Sequence, residues 1–342
     1  MAETASVASP IGLLVMAYGT ASGPDDIERY YTDIRGGRPP SEEHLQELKD
    51  RYAAIGNVFP LLDTTHAQAE GLVERLNASS GDGQTYRAYL GMKHSPPFIP
   101  EGVAAMRADG VTRGVGIVMA PHWSGMSVES YVQRAQRAVG DGGGGLELSF
   151  VRSYSNHPAF IRFLTARVDE ALGRLEGGER EKSAVVFSAH SLPTRTLADR
   201  SMRCKYCDCA DLCRYREGLM DTADAVAARL DLPHHTIAWQ SAGRTDDPWW
   251  GPAIEDVIPQ LAAAGHPAVV VCSAGFVADH LEILFDLDIE AREITEQAGI
   301  RFERTRMPNA DPRYLDVLAD VVRDHLAGMP DAGRVGPEAT SP

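Results

Sequence analysis

A run of four cysteines is the densest chemical feature of this sequence. The stretch CKYCDCADLC contains Cys204, Cys207, Cys209 and Cys213, and the chain has one further cysteine, Cys272. Zinc sites usually divide their ligands into two C-x2-C pairs that lie a dozen or more residues apart. The spacing C-x2-C-x-C-x3-C is more compact and favours a small iron–sulfur cluster bound by four thiolates, with zinc and disulfides as alternatives.

A second candidate is the stretch GFVADHLEILFDLDIE, whose pattern predicts a helix with a narrow acidic stripe. At α-helical spacing, one stripe about 80° wide holds Asp279, Glu282, Asp286 and Glu290, and most of the remaining surface is apolar. Acidic residues at a helix N-terminus complement the helix dipole, which accounts for Asp279 and Glu282 alone. A row of carboxylates suits a path for divalent cations or for protons.

Individual residues elsewhere have both a chemical and a structural interpretation. His190 ends the apolar run AVVFSAH, where it is either a hydrogen-bonded structural histidine or a base or metal ligand. Arg35, Arg38 and Arg51 would suit carboxylate ligands, although solvated surface charge explains each of them alone. Trp239 belongs to WQSAGRTDDPWWGP, whose three tryptophans fit core packing or the walls of a site for a flat aromatic ligand.

Six short apolar runs alternate with longer helical patterns and would position these residues. The runs are IGLLVMAYG, YRAYLGMKH and VGIVMAPHW in the first half and SAVVFSAHS, HTIAWQS and AVVVCSAGF in the second. Continuous apolar runs are typical of parallel strands that are buried on both faces. The alternation predicts an α/β fold with two similar doubly wound, Rossmann-like domains, and one continuous sheet is an alternative.

Two domains of similar size are predicted, at residues 11–155 and 156–328, with loose ends at 1–10 and 329–342 and a cysteine insertion at 200–215. Polar residues come at or just after the carboxyl ends of the six predicted strands: Tyr18, His94, His122, His190, Gln240 and Ser273. Open α/β sheets bind ligands at this edge. Two facing edges would therefore enclose one ligand in a cleft between the domains.

The composition argues against several classes of protein. The 342 residues have a formal net charge of −15 and no Lys- or Arg-rich run, which argues against a nucleic-acid partner. No stretch approaches the roughly 18 consecutive apolar residues of a membrane span. The N-terminal stretch MAETASVAS lacks the features of a secretion signal, so we expect a cytoplasmic protein with reduced cysteines. That expectation disfavours disulfides.

Several longer motifs occur in a fixed order along the chain. They are MAYGT, LGMKHSPPFI, APHWSGMSVESY, FSAHSLP, WQS with DPWWGP, and GFVADHLEILFD. Together they resemble the ferrochelatase family over residues 11–328. The resemblance implies insertion of Fe²⁺ into a porphyrin, with His190 and Glu282 facing the metal and the pyrrole nitrogens. Asp286 and Glu290 would continue an acidic ladder for metal or protons, and His94 would line the pocket.

The resemblance also indicates the substrate. Ferrochelatases that produce coproheme carry AYGT, whose tyrosine can bind the iron of the product, and Tyr18 matches it. This favours coproporphyrin III over protoporphyrin IX. By position, the residues that resemble the family's pocket and propionate-binding residues are Ile34, Arg35, Arg51, Tyr52 and Tyr131. Trp239 is expected to add an aromatic wall, and the chain departs from the family at GNVFP, where Phe59 replaces a propionate-binding serine.

The cysteine run resembles an internal insertion of some bacterial ferrochelatases that carries a 2Fe–2S cluster. The resemblance implies that this cluster is bound by Cys204, Cys207, Cys209 and Cys213. Because metal insertion changes no oxidation state, we expect the cluster to have a structural or regulatory role. Cys272 is expected in the core.

Other functions stay open at this point. A protoporphyrin IX ferrochelatase and a chelatase for sirohydrochlorin-type rings are alternative enzymes. A haem carrier, an iron–sulfur regulatory protein or a periplasmic-type binding protein would bind without turnover, and turnover with free Fe²⁺ would separate the enzymes from them. The expected partner is the porphyrin itself, with transient contacts to neighbouring haem-pathway enzymes.

Overall fold

The computed structural model describes residues 9–80, 83–196, 202–205, 214–243 and 245–328. The first half begins with a fully buried strand, as expected at the centre of a parallel sheet. Its elements are β1 Ile11–Ala17, a 3-10 turn Pro24–Asp26, α1 Ile27–Ile34, α2 Glu42–Ala54, α3 Leu61–Ala78, β2 Tyr86–Met92, α4 Ile99–Ala108, β3 Arg113–Val118, α5 Val128–Asp141 and β4 Glu147–Val151. The strands pair in parallel in the order β2-β1-β3-β4.

The second half repeats this arrangement. Its elements are α6 Pro158–Leu172, α7 Glu179–Lys182, β5 Ala184–His190, β6 Thr194–Thr196, β7 Met202–Cys204, α8 Tyr215–Leu230, β8 His235–Gln240, α9 Ile254–Ala263, β9 Ala268–Cys272, α10 Leu281–Leu284, a π-helix Asp286–Ala291, α11 Arg292–Gln297, β10 Arg301–Arg304 and α12 Pro312–Ala327. The strands of the second sheet pair in parallel in the order β10-β9-β5-β8. Read from β8, this is the second, first, third and fourth strand of the sheet in chain order, which is the order of the first sheet. β6 and β7 form a separate antiparallel pair. No helix in the described part of the chain is both long and apolar enough to cross a bilayer.

The predicted α/β fold with two similar parallel sheets is confirmed, and all six predicted strands are present. Each sheet also contains an edge strand that the sequence pattern did not predict, β4 in the first and β10 in the second. β10 reads RFER, with charged side chains at three of four positions. An edge strand has solvent beside it and needs no continuous apolar run, so the pattern that predicted the central strands missed it.

The two halves share one hydrophobic core. Leu13 of β1 and Phe187 of β5 belong to the same buried cluster, which α6 and α12 complete. The C-terminal helix α12 also contacts the first half directly, because Arg75 Nε of α3 lies 2.7 Å from Asp316 Oδ1. The predicted boundary near residue 155 falls between the two sheets, but α12 packs across it.

The stretch that was predicted as one acidic helix is divided in the structure. Residues 275–280 are not helical, and α10 begins only at Leu281. The prediction that Asp279 belongs to this helix was therefore wrong. In the π-helix that follows, the Glu290 N–H donates to the carbonyl of Phe285, five residues earlier, over 3.0 Å. The sequence pattern was compared with a spacing of 3.6 residues per turn. It therefore could not predict a wider π turn.

Candidate active site

Side chains at the carboxyl ends of the two sheets lie close together, because the Glu282 charge in the second half acts on Tyr18 in the first. The region between these ends, called the cleft below, contains His190 and Glu282. His190 is the last residue of β5, and Glu282 lies in the first turn of α10. His190 Nε2 is 3.8 Å from Glu282 Oε1, and 35% and 28% of the two side chains are exposed. Leu281, beside Glu282, packs with Tyr30 and Tyr52 of the first half. The pair therefore lies where the two halves of the molecule meet.

A glycine allows Glu282 and His190 to approach each other. The N–H of Gly275 donates to a β5 carbonyl over 3.0 Å, and a Cβ atom there would lie 2.5 Å from Cβ of Ala189. Any larger residue would push the loop before α10 away from β5. Gln240, the last residue of β8, donates from Nε2 to the backbone carbonyl of Glu282 over 3.2 Å. Sheet and loop together fix the position of the carboxylate.

The surroundings of Glu282 keep it ionised. His280, just before α10, places Nε2 3.4 Å from Glu282 Oε2. Burial raises the pKa of Glu282, but His190, His280 and Arg51 outweigh it and hold the pKa at about 2. Burial lowers the pKa of His280, and the Glu282 carboxylate more than reverses this shift. The site thus combines a fixed anion with imidazole nitrogens, groups that bind Fe²⁺ and accept protons.

Asp286 follows Glu282 by one helical turn and is almost completely buried. Its oxygens accept hydrogen bonds from Arg51 of α2 and from Ser241, which follows β8. Burial raises the pKa of Asp286 to about 7, opposed by Arg51 and reinforced by the charges of Glu282 and Glu290. Burial also raises the pKa of Glu290. Two members of the predicted acidic ladder therefore differ: Glu282 is ionised, and Asp286 can hold a proton near neutral pH.

Aromatic and cationic side chains form the wall from the first half. Tyr18 follows β1 and is 40% exposed, and its ring centroid lies 4.7 Å from that of His94. His94 Nδ1 is 2.7 Å from Asp33 Oδ1, and burial lowers the pKa of His94 to about 4, so the ring is neutral. The Lys93 ammonium lies 5.9 Å from the Tyr18 ring centroid and 5.1 Å from that of Tyr131. The first half thus brings together an exposed phenol, a buried neutral imidazole and a partly buried cation.

Further predicted pocket residues belong to α1, α2 and the segments that follow them. Tyr52 is buried, and its ring stacks on Phe59 with centroids 4.5 Å apart. Ile34 packs against the same cluster. Nε of Arg35 is buried, and no hydrogen-bond acceptor within the described residues reaches it. A buried guanidinium donor without an acceptor is suited to a carboxylate ligand.

Comparison with known proteins agrees with this geometry. A sequence model of the family described as "Ferrochelatase" matches residues 10–326. The chain belongs to the ferrochelatase family. It is 44% identical to a coproporphyrin III ferrochelatase of Anoxybacillus flavithermus (strain DSM 21510 / WK1), over 92% of this chain and 96% of that protein. It is 43% identical to a coproporphyrin III ferrochelatase of Bacillus subtilis (strain 168), over 92% and 98%.

Solved structures share the fold at much lower identity. SirB from Bacillus subtilis with Fe³⁺ matches with a TM-score of 0.54 and 10% identity, over 92% of this chain and 95% of that one. CbiX, the terminal enzyme for biosynthesis of siroheme in denitrifying bacteria, matches with a TM-score of 0.50 and 13% identity, over 93% and 100%. At these identities the comparison establishes the fold alone.

One predicted substrate contact of this ferrochelatase-family chain needs correction. Trp239 is 1% exposed and lies in the core, with its ring centroid 5.4 Å from that of Tyr215 and 6.3 Å from that of Trp250. It therefore presents no surface to the cleft. The tryptophan near the candidate catalytic histidine is Trp249, whose ring centroid lies 6.4 Å from that of His190. The sequence could not separate these tryptophans, because each of them fits the same motif.

Most of the cysteine run lies outside the described residues, including Cys207, Cys209 and Cys213. Cys204 is described as the last residue of β7 and is buried. In the parts of the chain that the structure describes, no group of three or more His, Cys, Asp or Glu side chains is arranged to hold a metal ion. Cys272 is a core residue of β9, as predicted, and burial raises its pKa to about 12.

Sequence reasoning missed several polar residues of the ferrochelatase cleft. His280 lies within the motif GFVADHLEILFDLDIE. It was missed because the motif was interpreted as a helix whose chemistry lay in its carboxylates. Lys93 directly precedes His94 in the motif LGMKHSPPFI. Arg134 Nη1 donates to the Lys93 carbonyl over 2.7 Å, and burial together with this second cation lowers the pKa of Lys93 to about 8. Adjacency to His94 was the signal that could have found Lys93.

Proposed function

We propose that this protein is a coproporphyrin ferrochelatase, which inserts Fe²⁺ into coproporphyrin III to give Fe-coproporphyrin III (coproheme) in haem biosynthesis. The observation that carries the proposal is the His190–Glu282 pair, an imidazole nitrogen and an ionised carboxylate 3.8 Å apart in the cleft. The similarity to coproporphyrin III ferrochelatases supports the choice of ring. Fe²⁺ is a substrate of this reaction.

The first half of the chain supplies the residues that bind the porphyrin ring. Coproporphyrin III carries propionate groups, which need cationic and hydroxyl partners in a chain of net charge −15. Lys93 and the buried Nε of Arg35 supply positive charge there. Tyr18 is 40% exposed and offers a phenol. Tyr52, Tyr131 and Ile34 stay predicted pocket residues. Arg51, which bonds Asp286, stays a predicted partner of a propionate.

The chemical step is an exchange of protons for metal. Two pyrrole N–H bonds break, Fe²⁺ gives up its water ligands, bonds from iron to the ring nitrogens form, and two protons leave without any change of oxidation state. Glu282 and His190 supply the charge and lone pairs that bind the arriving Fe²⁺ and accept protons. Asp286, whose pKa is about 7, takes a proton onward toward Glu290. The protein's contribution is the orientation and charge of these groups.

The test is anaerobic metallation with three rings. Purified protein is mixed with Fe²⁺ and coproporphyrin III, protoporphyrin IX or sirohydrochlorin, and the loss of the free-base absorption bands is followed. We expect the highest kcat/KM with coproporphyrin III. Faster turnover of protoporphyrin IX or sirohydrochlorin would replace the proposal with the corresponding alternative enzyme. Tight binding without turnover of any ring would indicate a carrier.

We further propose that Cys204, Cys207, Cys209 and Cys213 bind a 2Fe–2S cluster with a structural or regulatory role. Burial of Cys204 and the four-thiol donor set support this assignment. The protein isolated without oxygen should contain equal amounts of iron and acid-labile sulfide, with absorption that bleaches on reduction. Replacement of all four cysteines by serine should abolish these signals and lower Tm. Bound zinc without sulfide would contradict the assignment.

The cytoplasmic location and the transient contacts with neighbouring haem-pathway enzymes stay predictions. Cell fractionation tests the first. Crosslinking in cells that produce coproheme, followed by identification of the attached proteins, tests the second.

A further inference from the structure

One peptide group beside the candidate active site is held at both of its ends. In the unit that joins His190 to Ser191, the Ser191 N–H donates to the Gln240 carbonyl over 2.8 Å. The carbonyl of the same unit belongs to His190 and accepts a hydrogen bond from the Tyr215 hydroxyl over 3.0 Å. A planar peptide that is bonded at its N–H and its C=O cannot rotate without loss of one of these bonds.

The hydroxyl donor is itself fixed in position. Tyr215 is the first residue of α8 and is buried. Its ring centroid lies 5.4 Å from that of Trp239 and, edge-on, 6.4 Å from that of His122. Close packing against neighbouring rings restricts the side chain, so its hydroxyl meets the end of β5 in one geometry.

The next carbonyl along the chain extends this order to the imidazole ring. His190 Nδ1 is hydrogen-bonded to the carbonyl oxygen of Ser191, which can only accept, so Nδ1 carries the proton. Nε2 is then the ring nitrogen left free of this backbone contact, and it lies 3.8 Å from Glu282 Oε1. The peptide that joins His190 to Ser191 holds the Cα atoms at its two ends, one that carries the imidazole side chain and one next to the acceptor carbonyl.

We infer that Tyr215 is a positioning residue for metal insertion, whose hydroxyl fixes the peptide after His190 and thereby directs Nε2 of the imidazole ring into the cleft. The inference rests on the proposed function for the role of His190. Because the Tyr215 hydroxyl bonds to backbone, it acts through His190 and contributes nothing to porphyrin binding. Its loss therefore slows the chemical step and leaves porphyrin affinity unchanged.

Tyr215→Phe tests this inference, because it removes the hydroxyl and keeps the ring. Tyr314→Phe is the matched control, since Tyr314 is also buried and its hydroxyl lies 3.0 Å from that of Tyr154. Both variants are compared with the wild type for kcat, KM, porphyrin Kd and Tm. We expect Tyr215→Phe to lower kcat about tenfold with Kd unchanged, and Tyr314→Phe to change kcat less than about twofold while it lowers Tm.

A second readout does not depend on activity. Nitrogen NMR of protein labelled at histidine, with the His190 signals assigned by their loss in His190→Ala, reports which ring nitrogen carries the proton. We expect the Nδ1–H form in the wild type and in Tyr314→Phe, and a mixture of tautomers in Tyr215→Phe. An unchanged tautomer or an unchanged kcat in Tyr215→Phe would overturn the inference. If the wild type inserted no iron, the proposed function would fail, and the tautomer comparison would still decide the positioning role.

Discussion

Titratable residues that lie close together in the cleft have different protonation states. Burial alone would favour the neutral form of each group. Glu282 is nevertheless ionised, because histidines and Arg51 surround it, while His94 is neutral, because burial outweighs its contact with Asp33. Burial and the Glu282 charge raise the pKa of Tyr18, so its phenol keeps the proton. The cleft thus holds a permanent anion and neutral acceptors before the substrates arrive.

Removal of the Glu282 charge should stop the chemistry and spare binding. Glu282→Gln keeps the size of the side chain but removes the carboxylate that lies beside His190. We expect the metallation kcat to fall about a hundredfold, with the porphyrin Kd changed less than about twofold. Anaerobic rates and fluorescence titration measure the two quantities. Glu293→Gln neutralises an exposed residue of α11 as the control. A similar loss in that variant would indicate a general charge effect.

Among the helices and strands, the sequence predicted those whose apolar residues follow one regular pattern. The central strands β1, β5 and β9 are buried apolar runs, and each of them was predicted. The charged edge strand β10 and the break before α10 were not predicted. The break before α10 follows a loop that packs against β5 through Gly275. Such a tertiary contact cannot be read from the local sequence pattern. For the same reason the sequence proposed His190 and Glu282 but could not give the distance between them.

A cluster of charges joins α6 to the start of α12. Arg167 is buried and donates to Glu170 over 3.0 Å and to Asp311, the N-cap of α12. Burial raises the pKa of Glu170, but hydrogen bonds from Arg306, Arg313 and Arg167 outweigh it and lower the pKa to about 2. The contact between these helices therefore depends on an ionised carboxylate.

This dependence predicts an acid-sensitive contact. Because folding lowers the pKa of Glu170, its contribution is fully present above the usual value of 4.5 and is lost as the pH falls toward about 2. Glu170→Gln should lower the free energy of unfolding at pH 7 by about 1 kcal/mol, and the difference from wild type should shrink in acid. Urea titrations over this pH range measure it, with the exposed Glu74→Gln as control. A difference in the free energy of unfolding that is constant with pH would show that the charge of Glu170 does not stabilise this contact.

In the molecule as a whole, two similar sheets share a core, and side chains at their carboxyl ends lie close together. Among the described residues, two ion pairs of an arginine with an aspartate connect the halves. Arg51 of α2 bonds the buried Asp286, and its guanidinium carbon lies 4.5 Å from the Phe285 ring centroid. Arg75 of α3 bonds Asp316 of α12, which is largely exposed. The first pair crosses the cleft and the second lies on the surface.

The two pairs should differ in their effect on stability. Arg51→Met leaves a buried carboxyl group without its charged partner, and we expect a loss of about 2–3 kcal/mol in the free energy of unfolding. Arg75→Met removes an exposed pair, and we expect a loss of about 1 kcal/mol or less. Chemical denaturation of both variants gives the comparison. Equal losses would show that the cleft pair contributes no more than a surface contact.

His190 in this cleft is expected to carry out metal insertion, and single-turnover metallation is the direct test. Wild type and His190→Ala are loaded with coproporphyrin III, mixed with Fe²⁺ without oxygen, and followed by loss of the free-base bands. We predict that both bind the porphyrin with Kd values within about twofold and that the variant inserts iron at least about a hundredfold more slowly. Insertion by the variant at the wild-type rate would contradict this role of His190.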